Sequence, residues 1–62
     1  MKILYGITIS KSIDVTDICS TKLIKNNIIT IPKNDCIRAN YFTDPLPYIL
    51  KKIIIIKIFY NN

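Results

Sequence analysis

The sequence predicts a mainly β fold: a small sheet or sandwich-like module of about four strands with one short helix, residues 1–62 forming a single domain. Three observations predict it. Apolar and polar residues alternate with period two near both ends of the chain. Sixteen of the 62 residues are Ile, whose branched Cβ suits a pleated surface better than a helix. Turn-forming clusters of Ser, Asn, Asp and Pro separate the apolar segments. A domain of this length buries only about 60% of its unfolded surface. Cores below roughly 70–80 residues commonly draw on a disulfide, a metal or a partner.

Residues 2–9 alternate, with Ile3, Tyr5, Ile7 and Ile9 on one face and Lys2, Leu4, Gly6 and Thr8 on the other, which predicts a strand. Gly6, the sole glycine, marks a bend or bulge. Ser10-Lys11-Ser12 is a turn, and Ile13-Asp14-Val15 a short extended piece. A helix follows, with the Thr16 hydroxyl as its expected cap and Asp17 at its positive end. Its inner face carries Val15, Ile18, Cys19 and Leu23, and Asn26-Asn27 is its expected stop. Ile28–Ile31 reads as a strand ended by Pro32, and Lys33-Asn34-Asp35 as a turn. The stretch from Cys36 to Phe42 fits either a single helical turn over 35–40 or a loop pinned by Tyr41 and Phe42. Asp44-Pro45-Leu46-Pro47 is a rigid loop, because each proline fixes its own φ and extends the residue before it.

The last element is a strand from residue 48 or 49 to Tyr60. Its isoleucine density favours a strand over a helix. Ile49, Lys51, Ile53, Ile55, Lys57 and Phe59 fall on one face, and Leu50, Lys52, Ile54, Ile56, Ile58 and Tyr60 on the other. A strand apolar on both faces is normally central or covered. At an edge it invites pairing with another chain, and Lys51, Lys52 and Lys57 then act as gatekeepers.

The formal charge is +5, but the eight lysines are dispersed and Arg38 is the single arginine, so solvated surface charge is a better reading than a nucleic-acid face. Cys19 and Cys36 match no metal, redox or haem spacing, the chain has no His, and two small buried side chains are expected. No cofactor or metal is expected. The N-terminal segment lacks the longer apolar region and cleavage site of a signal peptide, and no apolar run approaches the ~20 residues of a membrane span. Asp14, Asp17, Asp35 and Asp44 each sit beside a turn or cap signal, and neither Ser, Thr nor Cys has an activating base, so catalysis is not expected.

Several islands occur in a characteristic order: Tyr5-Gly6, Asp14-Val15-Thr16, Ile28-Ile29-Thr30-Ile31-Pro32, Asp35 and Arg38, Tyr41-Phe42-Thr43-Asp44-Pro45-Leu46, and Lys52 with alternating hydrophobes. This order resembles a domain repeated in uncharacterised proteins of mimivirus-like giant viruses. More distantly, it is similar to a bacterial module and to a C-terminal domain of unknown function in DnaJ-like proteins. The abundance of Ile, Lys and Asn over Gly, Ala and Arg also fits an AT-rich genome. The resemblance implies a non-catalytic β-rich module, located in host cytoplasm or virion, whose last strand is usually followed by another strand or hairpin. On that basis a shortened member is expected, with Tyr48 where the pattern carries glycine. The expected role is interaction or structure, by pairing of residues 49–60 with another protein or a second copy. Two alternatives stand beside it. One is a glycan- or nucleic-acid-binding surface of Tyr41, Phe42 and Tyr48 with Arg38, Lys51 and Lys52. The other is a truncated gene fragment without function.

Overall fold

A computed structural model describes residues 1–57. In chain order the elements are β1 (Lys2–Gly6), β2 (Ser12–Asp14), α1 (Thr16–Lys22), β3 (Ile24–Lys25), β4 (Ile28–Ile29), α2 (Asp35–Phe42) and β5 (Lys52–Ile56). The fold is β-rich with two short helices. Its three-stranded antiparallel sheet has the order β2-β1-β5, and β3 and β4 form a separate hairpin. The first strand of the chain is thus central, and the isoleucine strand is an edge strand of this sheet. Its expected continuation through Ile58, Phe59 and Tyr60 lies outside the described residues.

β1 turns into β2 through a tight approach at Gly6. A Cβ there would stand 2.2 Å from the Lys11 carbonyl oxygen and 2.5 Å from the Ser12 Cα. Only glycine fits, so the residue serves a close backbone crossing. Ile7 donates its N–H to the Lys11 carbonyl at 3.0 Å, closing the connection.

The Thr16 hydroxyl has a different task from the one its position suggests. It makes no cap hydrogen bond to α1, whose N-cap residue is Val15. Instead its Oγ1 accepts the Ile3 N–H at 2.9 Å and donates to Asp14 Oδ1 at 2.6 Å. Val15 donates its N–H to the Ile3 carbonyl, but its own carbonyl accepts from Cys19 in the helix. The ladder therefore loses one acceptor where strand becomes helix, and Thr16 supplies it. Asp14 Oδ1 also accepts the Thr16 N–H at 2.9 Å, satisfying a donor of the first turn.

α1 ends at Lys22, before the expected stop. Asn26 and Asn27, with φ of 52° and 64°, form the two-residue turn of the β3–β4 hairpin instead. Two successive left-handed residues match the twist of a tight hairpin, and Asn tolerates that conformation. The second helix covers the stretch that the sequence left open. Asn34 accepts the N–H groups of Cys36 and Ile37 and starts it. It ends at Thr43, whose φ of 66° and ψ of 176° fall in a region that favours glycine.

The core lies on the face of the sheet that carries Ile3 and Tyr5. These residues cluster with Val15, Cys19 and Phe42, and Ile13, Ile18, Leu23, Ile29, Ile31 and Ile53 pack around them. Tyr5 and Phe42 meet at 5.2 Å between ring centroids in a tilted geometry, which aromatic pairs favour. Cys19 is buried as expected, whereas Cys36 is exposed on α2, and both are free thiols. The opposite face carries buried Leu4 beside half-buried Ile54 and Ile56.

Candidate functional site

Alternation along the sheet determines which backbone groups of β5 are available. The N–H and C=O of Ile3 both point to the β2 side, to Thr16 and Val15. In an antiparallel ladder adjacent residues point their groups to opposite sides. Leu4 therefore faces β5, and its register partner Ile54 faces back. The backbone groups of Ile53 and Ile55 then point away from β1, along the outer edge of the sheet. Among the described residues no strand lies on that side.

The same parity makes Lys51 point outward, and there the edge is closed. Asp35 Oδ2 accepts the Lys51 N–H at 3.3 Å, and Arg38 Nη2 donates to the Lys51 carbonyl at 2.9 Å. An acceptor and a donor one helical turn apart on α2 thus take the place of a neighbouring strand for one residue. β5 is capped at its start, and among the described residues no strand covers the outward groups of Ile53 and Ile55.

A polar cluster supports this clamp. Tyr5 donates its hydroxyl to Asp35 Oδ1 at 2.5 Å, and Arg38 Nη2 lies 3.5 Å from the same oxygen. The Lys51 ammonium, 5% exposed as a residue, contacts Asp44 at 2.9 Å and Asp35 at 3.3 Å. It also donates to the carbonyls of Leu46, at 3.1 Å, and Ile49, and it lies 5.9 Å from the Tyr5 ring centroid. Lys51 thereby ties the 44–50 loop to α2.

Each shift in proton affinity follows from these contacts. The Tyr5 hydroxyl holds the Asp35 carboxyl below its ordinary range, with the Lys51 contacts adding to the effect. Burial, then the Asp35 hydrogen bond, pushes the Tyr5 phenol up. The Asp44 contact raises Lys51, and the Thr16 hydroxyl lowers Asp14. Lys51 is thus held as a cation rather than prepared as a neutral nucleophile.

The expected binding residues are not gathered on one surface. Phe42 is in the core at 1% exposure, while Tyr41 is exposed on α2 and Tyr48 is fully exposed in the loop. Arg38 uses Nη1 on the carbonyls of Pro32 and Lys33 and Nη2 on that of Lys51, so its guanidinium fork is engaged within the chain. Lys51 is internal, and Lys52 is exposed on β5. Above the cluster, an open groove of about 460 Å³ runs between α2 and the loop, bordered by Cys36, Ala39, Tyr48, Ile49 and Leu50. Its charged floor of Asp35, Asp44 and Lys51 is already mutually paired. No group of His, Cys, Asp or Glu side chains among the described residues is arranged to hold a metal. No helix among them is long and apolar enough to cross a membrane.

The Lys51-Lys52 doublet suggests two exposed basic residues, whereas Lys51 is buried. The available signal was strand parity, which puts one lysine of the pair on the same face as Ile53. The free edge itself depends on strand order, for which the sequence carries no local mark.

No protein family, curated protein or solved structure matches the chain.

Proposed function

We propose that the chain is a non-catalytic interaction module of the giant-virus repeat type its motif order resembles, and that it accepts an extended segment along β5. One observation carries the reading: among the described residues no strand lies beside the outward backbone groups of Ile53 and Ile55, while the preceding outward residue, Lys51, is capped by Asp35 and Arg38. Strand addition draws its affinity from main-chain hydrogen bonds, and side chains set its specificity. Lys52 and Lys57 flank the open stretch and favour a segment with acidic ends.

The test is a titration of labelled protein with the extended peptide Glu-Val-Thr-Val-Thr-Glu, followed by residue-resolved NMR. The expected result is slowed amide exchange at Ile53 and Ile55. A lysine-flanked version should bind more weakly, with the difference shrinking as salt rises. Perturbation confined to the α2–loop groove, or no change at the edge, would contradict the reading.

A further inference from the structure

Independently of strand addition, we infer that the 44–50 loop is a strap latched to the body of the fold by one internal cation, the Lys51 ammonium, and that it opens as a unit while the sheet and both helices stay folded. The polar contacts of the loop carry this. Lys51 Nζ meets Asp44 Oδ1 at 2.9 Å and the Leu46 carbonyl at 3.1 Å, and it also donates to the Ile49 carbonyl. The other hydrogen bonds of the loop are internal. Asp44 Oδ1 accepts the Leu46 N–H at 3.2 Å, and the Leu46 carbonyl accepts the Ile49 N–H at 3.3 Å. On its far side the ammonium lies 3.3 Å from Asp35 Oδ2 on α2. Among the described residues, one side chain thus makes the whole polar connection between the strap and α2.

Apolar packing adds little to that hold. Tyr48 is fully exposed, Leu50 is 86% exposed and Ile49 48%. Among the described residues, none of Leu46, Ile49 and Leu50 joins the side chains packed on the core, whereas Phe42, just before the strap, belongs to it. Segments with few buried apolar contacts are the ones that open locally. Inside, the strap is stiff, because Pro45 and Pro47 fix their own φ and the two internal hydrogen bonds close its turns. Its ends differ. Thr43 stands at φ 66° and ψ 176°, a region that side chains disfavour, so rotation there relieves strain. At the other end, Asp35 and Arg38 hold the Lys51 backbone without help from its ammonium. Release of the ammonium therefore frees residues 44–50 and leaves β5 attached at its start.

Opening changes what the groove presents. In the closed form the ammonium pairs with both carboxylates, Asp35 and Asp44, and the strap covers it. In the open form Asp44, whose side chain is already 36% exposed, turns to water. The ammonium gives up its three strap contacts and meets solvent beside the Tyr5 ring. Asp35 is not stranded, because it keeps the Tyr5 hydroxyl, Arg38 and the Lys51 N–H. The strap is thus the gate of a charged floor that is fully paired only when closed.

Limited proteolysis with chymotrypsin, with the cut sites read by mass spectrometry, tests the latch at the bonds after Tyr48 and Leu50. Lys51→Met keeps the apolar stem and removes the cation. Asp44→Asn keeps the acceptor for the Leu46 N–H and removes the charge. Cleavage at these two bonds should quicken at least about tenfold in Lys51→Met, which strips a buried charge from its partners. In Asp44→Asn, a half-exposed site, the gain should be about threefold. Both variants should keep the far-ultraviolet spectrum of the folded chain. Thr16→Val weakens the fold far from the strap and should leave the two cuts at the wild-type rate, since local opening does not need global unfolding. If Lys51→Met does not fold, Asp44→Asn decides alone. A folded latch variant cut no faster than wild type overturns the inference. So does an equal gain in Thr16→Val, because cleavage then follows global unfolding.

Discussion

The two sides of β1 are finished in different ways. On the β2 side every departure from a regular ladder is repaired. Gly6 admits the close crossing, Thr16 replaces the carbonyl that Val15 gives to α1, and Asp14 holds both Thr16 donors. On the β5 side the repair stops after one residue. Asp35 and Arg38 cap Lys51, and the next outward groups belong to Ile53 and Ile55, with no strand beside them among the described residues. Side-chain caps on one flank, and on the other an edge with no neighbouring strand among the described residues, are the contrast on which the proposed pairing rests. The charged cluster is accounted for by the scaffold, since its groups tie α2, the 44–50 loop and β1 together.

The contrast can be broken most forcefully at Gly6. Gly6→Ala drives a Cβ into the Lys11 carbonyl and should cost about 2–3 kcal/mol, measured by urea unfolding. Thr16→Val removes the surrogate acceptor of the Ile3 N–H and should cost about 1–2 kcal/mol in the same assay. An effect near zero would mean that water replaces the hydroxyl and that the β2 flank is not closed as described. On the open flank, Ile55→Thr exchanges a half-exposed side chain for another strand former, and monomer stability should change by no more than about 0.5 kcal/mol.

The two flanks also predict a pH dependence. Asp14 and Asp35 bind protons less readily in the folded chain than when unfolded, so the stability they add is present above about pH 4 and is lost as acid titrates them. Tyr5 and Lys51 hold their protons more tightly when folded. Their contribution is complete below about pH 10 and is lost above it. Thermal melts across pH should show a plateau between these limits. Tyr5→Phe should diminish the alkaline loss, since it removes one of the groups responsible, beside Lys51 and the Cys19 thiol, which burial pushes up.

Much of this was legible where the signal is local. Alternation in residues 2–9 marked β1 and its core face, although the strand itself ends at Gly6. The spacing of Val15, Ile18, Cys19 and Leu23 gave the inner face of α1. Strand order, by contrast, is a long-range property, and both flanking strands carry a β signal without saying which is central. The sequence is ambiguous over α2 because Arg38, Ala39 and Asn40 interrupt any apolar stripe, while Asn34, its cap, reads equally well as a turn residue. Asn26-Asn27 is ambiguous in the sequence because a left-handed Asn suits both a helix end and a tight hairpin. Only the pairing of Ile24 with Ile29 separates the two. The polar cluster joins residues up to 46 positions apart in sequence, Tyr5 and Lys51 among them, so no window of the chain contains it.

Residue-resolved amide exchange at the lowest workable concentration is the most direct measurement. The expected pattern alternates: Ile54 protected by Leu4, Lys51 protected by Asp35, and Ile53 and Ile55 exchanging freely until a strand peptide slows them. Equal protection of Ile53, Ile54 and Ile55 without peptide would contradict the open edge and the function drawn from it.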